Sequence, residues 1–460
     1  MPDDGVTLQE IDAGANACSV EWCPIAGLER YVACSTYALE SADHEDHEDA
    51  AAAEQGAAAD ALAVAADTAE GTGTVETSCG GGQRRTGRIV VHELASSPST
   101  QSPAVGEDAA SAPFRLQEAA KTSLDGGVLD AKWSRRPLTD SGGAAVLACA
   151  TSTGRLILYA LSSVGVGEEE EGKEKAELRQ LASSDAGDSL LLSLDWSGGG
   201  MEDAKVVVSQ SDGALAVWRP HPNGGAPVQE VEPWSAHTLR GGVPTEAWIA
   251  FFKRSGYAGD GEGEGEGGSS FVVSGADDAL MKGWDLRAGG GACGASPAFV
   301  CKGHGAGVTA GQWHPTLQHT FVSGSYDEAV RIWDARSLRV PVSTTATGGG
   351  LWRLKWHPDP ERGNLLLAAC MHAGMRVLDT GLGVKKSLVQ GSLSALGEGG
   401  GEPGSKKQIV STYTRHASMA YGADWCRLPI LSRSKRAVIA SCSFYDSLFC
   451  LWQTPPLWSG

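Results

Sequence analysis

Apolar and polar residues alternate in short runs along most of this chain, and the runs recur in a fixed order. Each copy opens with an alternating run that closes on an aromatic residue: SVEW (Ser19–Trp22), LDAKW (Leu129–Trp133), LSLDW (Leu192–Trp196), WIAFF (Trp248–Phe252), TAGQW (Thr309–Trp313), WRLKW (Trp352–Trp356) and YGADW (Tyr421–Trp425). A second apolar run, a tight turn and a third run follow, most clearly in FVSGSYDEAVRIWD (Phe321–Asp334) and FVVSGADDALMKGWD (Phe271–Asp285). Period-two alternation over so few residues predicts strands, and the tight turns between runs predict hairpins. One such unit is a small antiparallel sheet that cannot bury both of its faces alone. Copies stacked about an axis give every sheet two apolar neighbours, and closing the ring leaves only short edges.

The fold expected is therefore all-β: a single WD-repeat β-propeller over residues 1–460, with about seven blades. The last copy ends on a third strand, Ser447–Trp452, so its outermost strand is expected from the extreme N-terminus, about Val6–Asp12, clasping the ring. Low-complexity stretches lie between copies, at about 41–80, 96–118, 162–188, 256–270 and 381–410. All are poor in large apolar residues, and disordered insertions are expected there.

Composition agrees with this outline. The chain has 61 glycines and only 7% aromatic residues, which suits many short strands and turns better than packed helices. Its net charge of −19 is concentrated in three stretches: nine acids and no bases in 41–70, six acids against three bases in 168–179, and four acids in 260–266. The remainder is close to neutral, with no basic face for nucleic acid. No apolar run reaches the length of a membrane span, and the polar, acidic start Met1–Glu10 does not read as a secretory signal. Eleven cysteines include Cys149, Cys370 and Cys442 inside apolar strands, where they read as small buried hydrophobes of a reducing compartment. A cytoplasmic monomer is expected.

Common catalytic signatures are missing. There is no GxxxxGK[ST] phosphate loop, no HExxH and no GxSxG elbow. GDSL (Gly187–Leu190) matches a hydrolase tetrapeptide by letters, but it precedes a strand instead of opening a helix. HEDHED (His44–Asp49) lies in an insertion with no scaffold around it, so no metal is expected, and no cofactor.

Departures of the repeats from their own pattern are more informative. Asp327, His304 and Trp333 fit the structural hydrogen-bond set of a WD repeat, as do Asp278 with Trp284 and Asp446 with Trp452. The sixth copy has Leu378 in place of the tryptophan and His372 in place of the aspartate. An imidazole at that rim position suits general-base chemistry; the alternative is a turn histidine bonded to backbone. Two further positions face the same mouth by repeat geometry: the residue before the turn aspartate, and the residue four before each closing aromatic. In copies four to seven they read Asp277, Tyr326, Met371, Tyr445 and Trp248, Thr309, Trp352, Tyr421. In copies two and three they read Ser152, Ser211, Leu129 and Leu192. Aromatics thus collect on one arc, which suits recognition of a quaternary ammonium group, with ordinary rim packing as the alternative.

The motifs SVEWCP, YVACSTYAL, EAWIAFF, LLLAACMHAGMRVLD, YGADW and CSFYDSLFCLW, in this order, resemble the diphthine methyl ester hydrolase family, called diphthine methyltransferase in older usage. The resemblance spans nearly the whole chain outside the insertions. It implies an enzyme of diphthamide synthesis that removes the methyl ester of methylated diphthine on translation elongation factor 2. The family supplies no catalytic residues to transfer. One departure is Ala373, where a serine would be expected after the histidine of AACMH, and this weighs against a serine nucleophile there. The site assigned from the repeats comprises His372 as base, Asp277 as orienting carboxylate, Tyr326 or Tyr445 as oxyanion donor, and Trp248, Trp352 and Tyr421 as substrate contacts. The competing reading is a non-catalytic scaffold that docks elongation factor 2 or other proteins.

Overall fold

The computed structural model describes residues 4–457, apart from 41–83, 97–113, 138–143, 166–173, 186, 199–203, 221–227, 254–269, 288–295, 383–407 and 433. Its strands form seven four-stranded antiparallel sheets, and in six of them the chain runs from the innermost strand outwards. The innermost strands are Asn16–Trp22, Val128–Trp133, Leu191–Trp196, Ile249–Phe252, Val308–Trp313, Arg353–Trp356 and Ala420–Trp425, and they define blades one to seven. These are the runs that close on an aromatic. The seventh blade takes its outermost strand from Val6–Asp12, paired from Val6 with Gln453 to Asp12 with Leu448. The two ends of the chain thereby close the ring, as the repeat count requires.

The core lies between blades, because each sheet covers the apolar face of the next. Trp22, Trp196, Trp313, Trp333, Trp425 and Trp452 are fully buried in these interfaces. Three blades carry the expected polar set. In blade five, the Nε2 of His304 lies 2.7 Å from Ser323 Oγ, which also accepts from the Trp333 indole at 2.7 Å. In blade four His237, Asp278, Ser274 and Trp284 are joined in the same way. In blade seven, His416 bonds Ser441 and Ser443, while Asp446 accepts from Ser443 and Trp452 donates to Ser441. All nine described cysteines are buried and free.

Some spans expected as loops carry strands. Glu174–Asp185, inside 162–188, is the outermost strand of blade two, and Phe114–Asp125, which begins inside 96–118, is that of blade one. Ile409 and Val410 begin the outermost strand of blade six. An outermost strand faces solvent on one side and needs few large apolar residues, so a test based on apolar content passes over it. The expected insertion 41–80 and, apart from Ser270, the expected insertion 256–270 lie outside the described residues.

Candidate functional site: an aromatic mouth at one end of the channel

The mouth is built by a repeated irregularity. In blades one, two, three, five and seven, the ladder of the innermost strand skips one residue: Cys18, Leu129, Leu192, Thr309 and Tyr421. In blades four and six the regular strand starts just after Trp248 and Trp352. A bulge leaves its extra residue unpaired and re-aims the side chain. These seven residues are the ones four before each closing aromatic.

Six of them line or flank one apolar cavity of about 80 Å³, together with Tyr37, Leu190, Ser211 and Phe444. Trp352 stacks on Tyr421, with ring centroids 4.5 Å apart and planes 20° from parallel. Trp248 lies 5.7 Å from Trp352 and meets Tyr326 edge-on. Tyr421 continues to Phe444 at 5.3 Å, and Phe444 to Tyr37 at 6.2 Å. The rings thus form a continuous arc from blade four through blades six and seven to blade one. Thr309 instead donates its hydroxyl to the carbonyl of Leu351.

The polar residues assigned from sequence occupy the rim of this arc. Asp277 is exposed, and its backbone N–H donates to the carbonyl of Glu246 at 3.0 Å. Gly307 packs beneath both Asp277 and Tyr326. Burial raises the phenol of Tyr326, and the negative charges of Asp277 and Glu246 add to the effect, so it stays protonated and able to donate. Burial likewise raises the carboxyl of half-buried Glu246, with Asp277 contributing. His372 stands exposed at the tip of its turn. The preceding Met371 packs into the aromatic cluster and bridges to Ala420. Among the described residues, no hydrogen bond or ion pair joins His372 to Asp277.

Tyr445 does not line the cavity. It is 43% exposed and meets Phe444 edge-on at 5.0 Å, and Phe444 is the residue that enters the mouth. Sequence reasoning missed Phe444, Tyr37 and Cys18. The signal for Cys18 was available, since it stands four residues before Trp22. Tyr37 is admitted by Gly127, where any Cβ would meet its ring at 1.8 Å. Cys18 has its thiol pushed up by burial, which disfavours a thiolate nucleophile.

Ser274, His237 and Asp278 have the connectivity of a hydrolase triad. They are nonetheless structural. His237 and Ser274 are fully buried, and the serine oxygen already accepts from Trp284. Burial also lowers the imidazole pKa despite Asp278.

Beneath the aromatic ring the channel turns polar, in a cavity of about 220 Å³ lined in part by Glu21, Lys132, Gln312, Arg353 and Lys355. Lys355 pairs with Glu21. Arg353 pairs with Asp130 at 3.0 Å and donates to the carbonyl of Trp352. These pairs form the floor of the mouth.

Blades with a His–Ser–Trp–Asp set, closed by an N-terminal strand around a channel, define a seven-bladed WD-repeat propeller with an aromatic mouth. No protein-family model matches the chain. It is 30% identical over 428 residues to diphthine methyltransferase of Homo sapiens, covering 91% of this chain and 74% of that protein. The Mus musculus protein of that name is 31% identical over 428 residues, covering 91% of this chain and 69% of its own length. The diphthine methyltransferase homolog of Dictyostelium discoideum is 31% identical over 346 residues, covering 73% and 79%. The chain belongs to the diphthine methyltransferase family. A chain in a crystal structure of the mitotic checkpoint complex shares the fold, with a TM-score of 0.53 at 12% identity, covering 97% of this chain and 94% of that one. No helix among the described residues is long and apolar enough to cross a membrane.

Proposed function

We propose that this protein acts in diphthamide biosynthesis, hydrolysing the methyl ester of methylated diphthine on a histidine of translation elongation factor 2. Water adds to the ester carbonyl, the bond to the methoxy oxygen breaks, and methanol, a carboxylate and a proton are released. The observation that carries this reading is the arc of Trp248, Trp352 and Tyr421 around one apolar cavity, in a chain of this family. The substrate bears a trimethylammonium group beside its ester, and an aromatic face attracts such a cation. His372 is the base that takes the proton from water: its turn carries Met371 into the cluster, and its ring is exposed. Asp277 lies on the same rim, and protonated Tyr326 beside it donates to the developing oxyanion.

The test is methanol release from elongation factor 2 carrying the methyl ester, incubated with the purified chain. Stoichiometric methanol supports the reading, and none at enzyme excess rejects it. One observation favours a second reading, a docking scaffold: in every Ser–His–Asp set among the described residues the histidine and serine are buried and a serine accepts from a Trp indole. Tight binding of elongation factor 2 without methanol release would select it.

A further inference from the structure

The channel ends in a basic exit, opposite the aromatic mouth. Arg427, Pro24 and Arg135 stand two positions after the closing aromatics of blades seven, one and two, and all three line the polar cavity of about 220 Å³. The innermost strand of blade one packs against those of both neighbours, so the two arginines flank one proline at the same end of the channel. Lys132 and Lys355 enter the cavity one residue before the closing aromatics of blades two and six. With Arg353, these five cations meet four carboxylates among the described residues: Glu21, Asp130, Asp195 and Asp424. The two at the exit are engaged elsewhere. Asp195 accepts from the backbone of Phe252 at 3.0 Å, and Asp424 from that of Trp22 at 2.9 Å. Arg135 reaches Asp195 only at 3.4 Å, and Arg427 stays 3.8 Å from Asp424, beyond hydrogen-bond reach. The Nε of Arg427 is buried with no hydrogen-bond partner among the described residues.

A guanidinium carries five N–H donors and cannot shed its charge, and a buried donor left unpaired is costly. Arg427 therefore breaks no hydrogen bond when it turns toward a new acceptor. Its side chain and that of Arg135 are each 28% exposed, so an ion arriving from solvent meets both. We propose that this exit binds a phosphate-type oxyanion, free or as a small phosphate monoester, held between Arg427 and Arg135. A carboxylate has two oxygens and satisfies one guanidinium fork; a tetrahedral phosphate offers further oxygens to a donor on a second blade. The ion also offsets the one surplus positive charge of the lining groups. Trp22, Trp133 and Trp196 wall the cavity, and beside such apolar surface the attraction between opposite charges is stronger than in water. An anion shared by blades seven and two braces blade one between them, so it stabilises the folded ring by mass action. The site stands apart from the aromatic mouth and does not depend on the reaction proposed there.

The experiment titrates the full chain with inorganic phosphate, and separately with glycerol 2-phosphate as the monoester, against sodium chloride at equal ionic strength. Calorimetry gives the dissociation constant and thermal melting the stabilisation. Phosphate in one or both forms is expected to bind and to raise Tm above its value in chloride, and the form that binds identifies the source of the anion. Arg427→Gln and Arg135→Gln should each weaken binding by about tenfold, the worth of a charge-assisted hydrogen bond. Arg427→Lys, which keeps the charge but loses the fork, should recover only part of the affinity. Trp248→Ala, at the aromatic mouth, should leave the phosphate dissociation constant within about twofold of the wild type. Melting without phosphate shows that each variant is folded before it is compared. Phosphates that stabilise the wild type no more than chloride does, or an unchanged affinity in both glutamine variants, overturn the proposal. A loss of affinity in folded Trp248→Ala as large as in Arg427→Gln places the anion at the mouth and overturns it equally.

Discussion

Arg353 of blade six reaches across the channel to Asp130 of blade two, with Nη2 3.0 Å from Oδ1. The two residues are 223 positions apart in sequence. Asp130 is fully buried, and its other oxygen accepts from the backbone of Leu194. Burial opposes its ionisation, but Arg353 and Lys132 outweigh burial and hold its carboxyl below the usual range. Removing one partner strands a buried charge, whereas removing both does not. Arg353→Met should therefore lower unfolding free energy by about 3–5 kcal/mol, and Asp130→Asn in the same chain should recover most of it. Urea midpoints of the two single variants and the double variant measure this. An additive double loss would show that the two groups are not coupled.

Trp352→Ala should weaken substrate use more than it weakens the fold. The ring is partly exposed at the mouth, stacked on Tyr421 on one side. A cation on such a face contributes about 0.5–2 kcal/mol, so apparent affinity should fall roughly three- to thirtyfold. Unchanged kinetics with a large drop in Tm would assign Trp352 to the core instead.

His372→Ala should reduce turnover by about 10²–10⁴-fold while leaving binding of elongation factor 2 nearly unchanged. Because the side chain is exposed, Tm should move little. His372→Asp restores the aspartate of the other copies and should also be inactive. Near-normal hydrolysis by both variants would transfer the base to the half-buried carboxylate of Glu246, beside Asp277.

Acid should destabilise the propeller before it titrates most carboxylates. Burial holds His92, His304 and His416 down to about 4 and His357 to about 3, against 6.5 for a free imidazole. Below pH 6.5 the unfolded chain binds protons that the folded chain refuses, so stability is complete above that value and falls as pH drops toward 4. Each such histidine contributes about 3 kcal/mol at the lower end of this window. Urea midpoints should be flat between pH 7 and 8 and decline steeply between 6.5 and 4.5. A flat profile through pH 5 would mean that these imidazoles become protonated within the fold.

Deleting 41–80 should leave melting and activity unchanged. The flanking strands of blade one pair as far as Glu40 opposite Arg84, so a short turn can replace the segment. A Tm lowered by more than a few degrees would show that the acidic segment contributes to the folded state.

The ring was legible in the local pattern alone. Seven alternating runs ending in an aromatic, each followed by a hairpin, specify blades locally, because a pleat of period two assigns faces without reference to distant residues. The clasp at Val6–Asp12 followed from counting strands, and the roles of Asp278, Asp327 and Asp446 from their spacing to a tryptophan. The same rule placed Trp248, Trp352 and Tyr421 at one mouth, since a bulge at a constant offset aims its side chain the same way in every blade. What the local pattern lacked was contact across the ring. The Arg353–Asp130 and Lys355–Glu21 pairs join blades far apart in sequence, and no periodicity encodes which charges meet. Phe444 entering the cavity in place of Tyr445, and Tyr37 joining it over Gly127, depended on how one blade's turn seats against the next. Alternation fixes which face a side chain leaves from. Which neighbour receives it is settled only when the blades close into a ring and compete for the same small space.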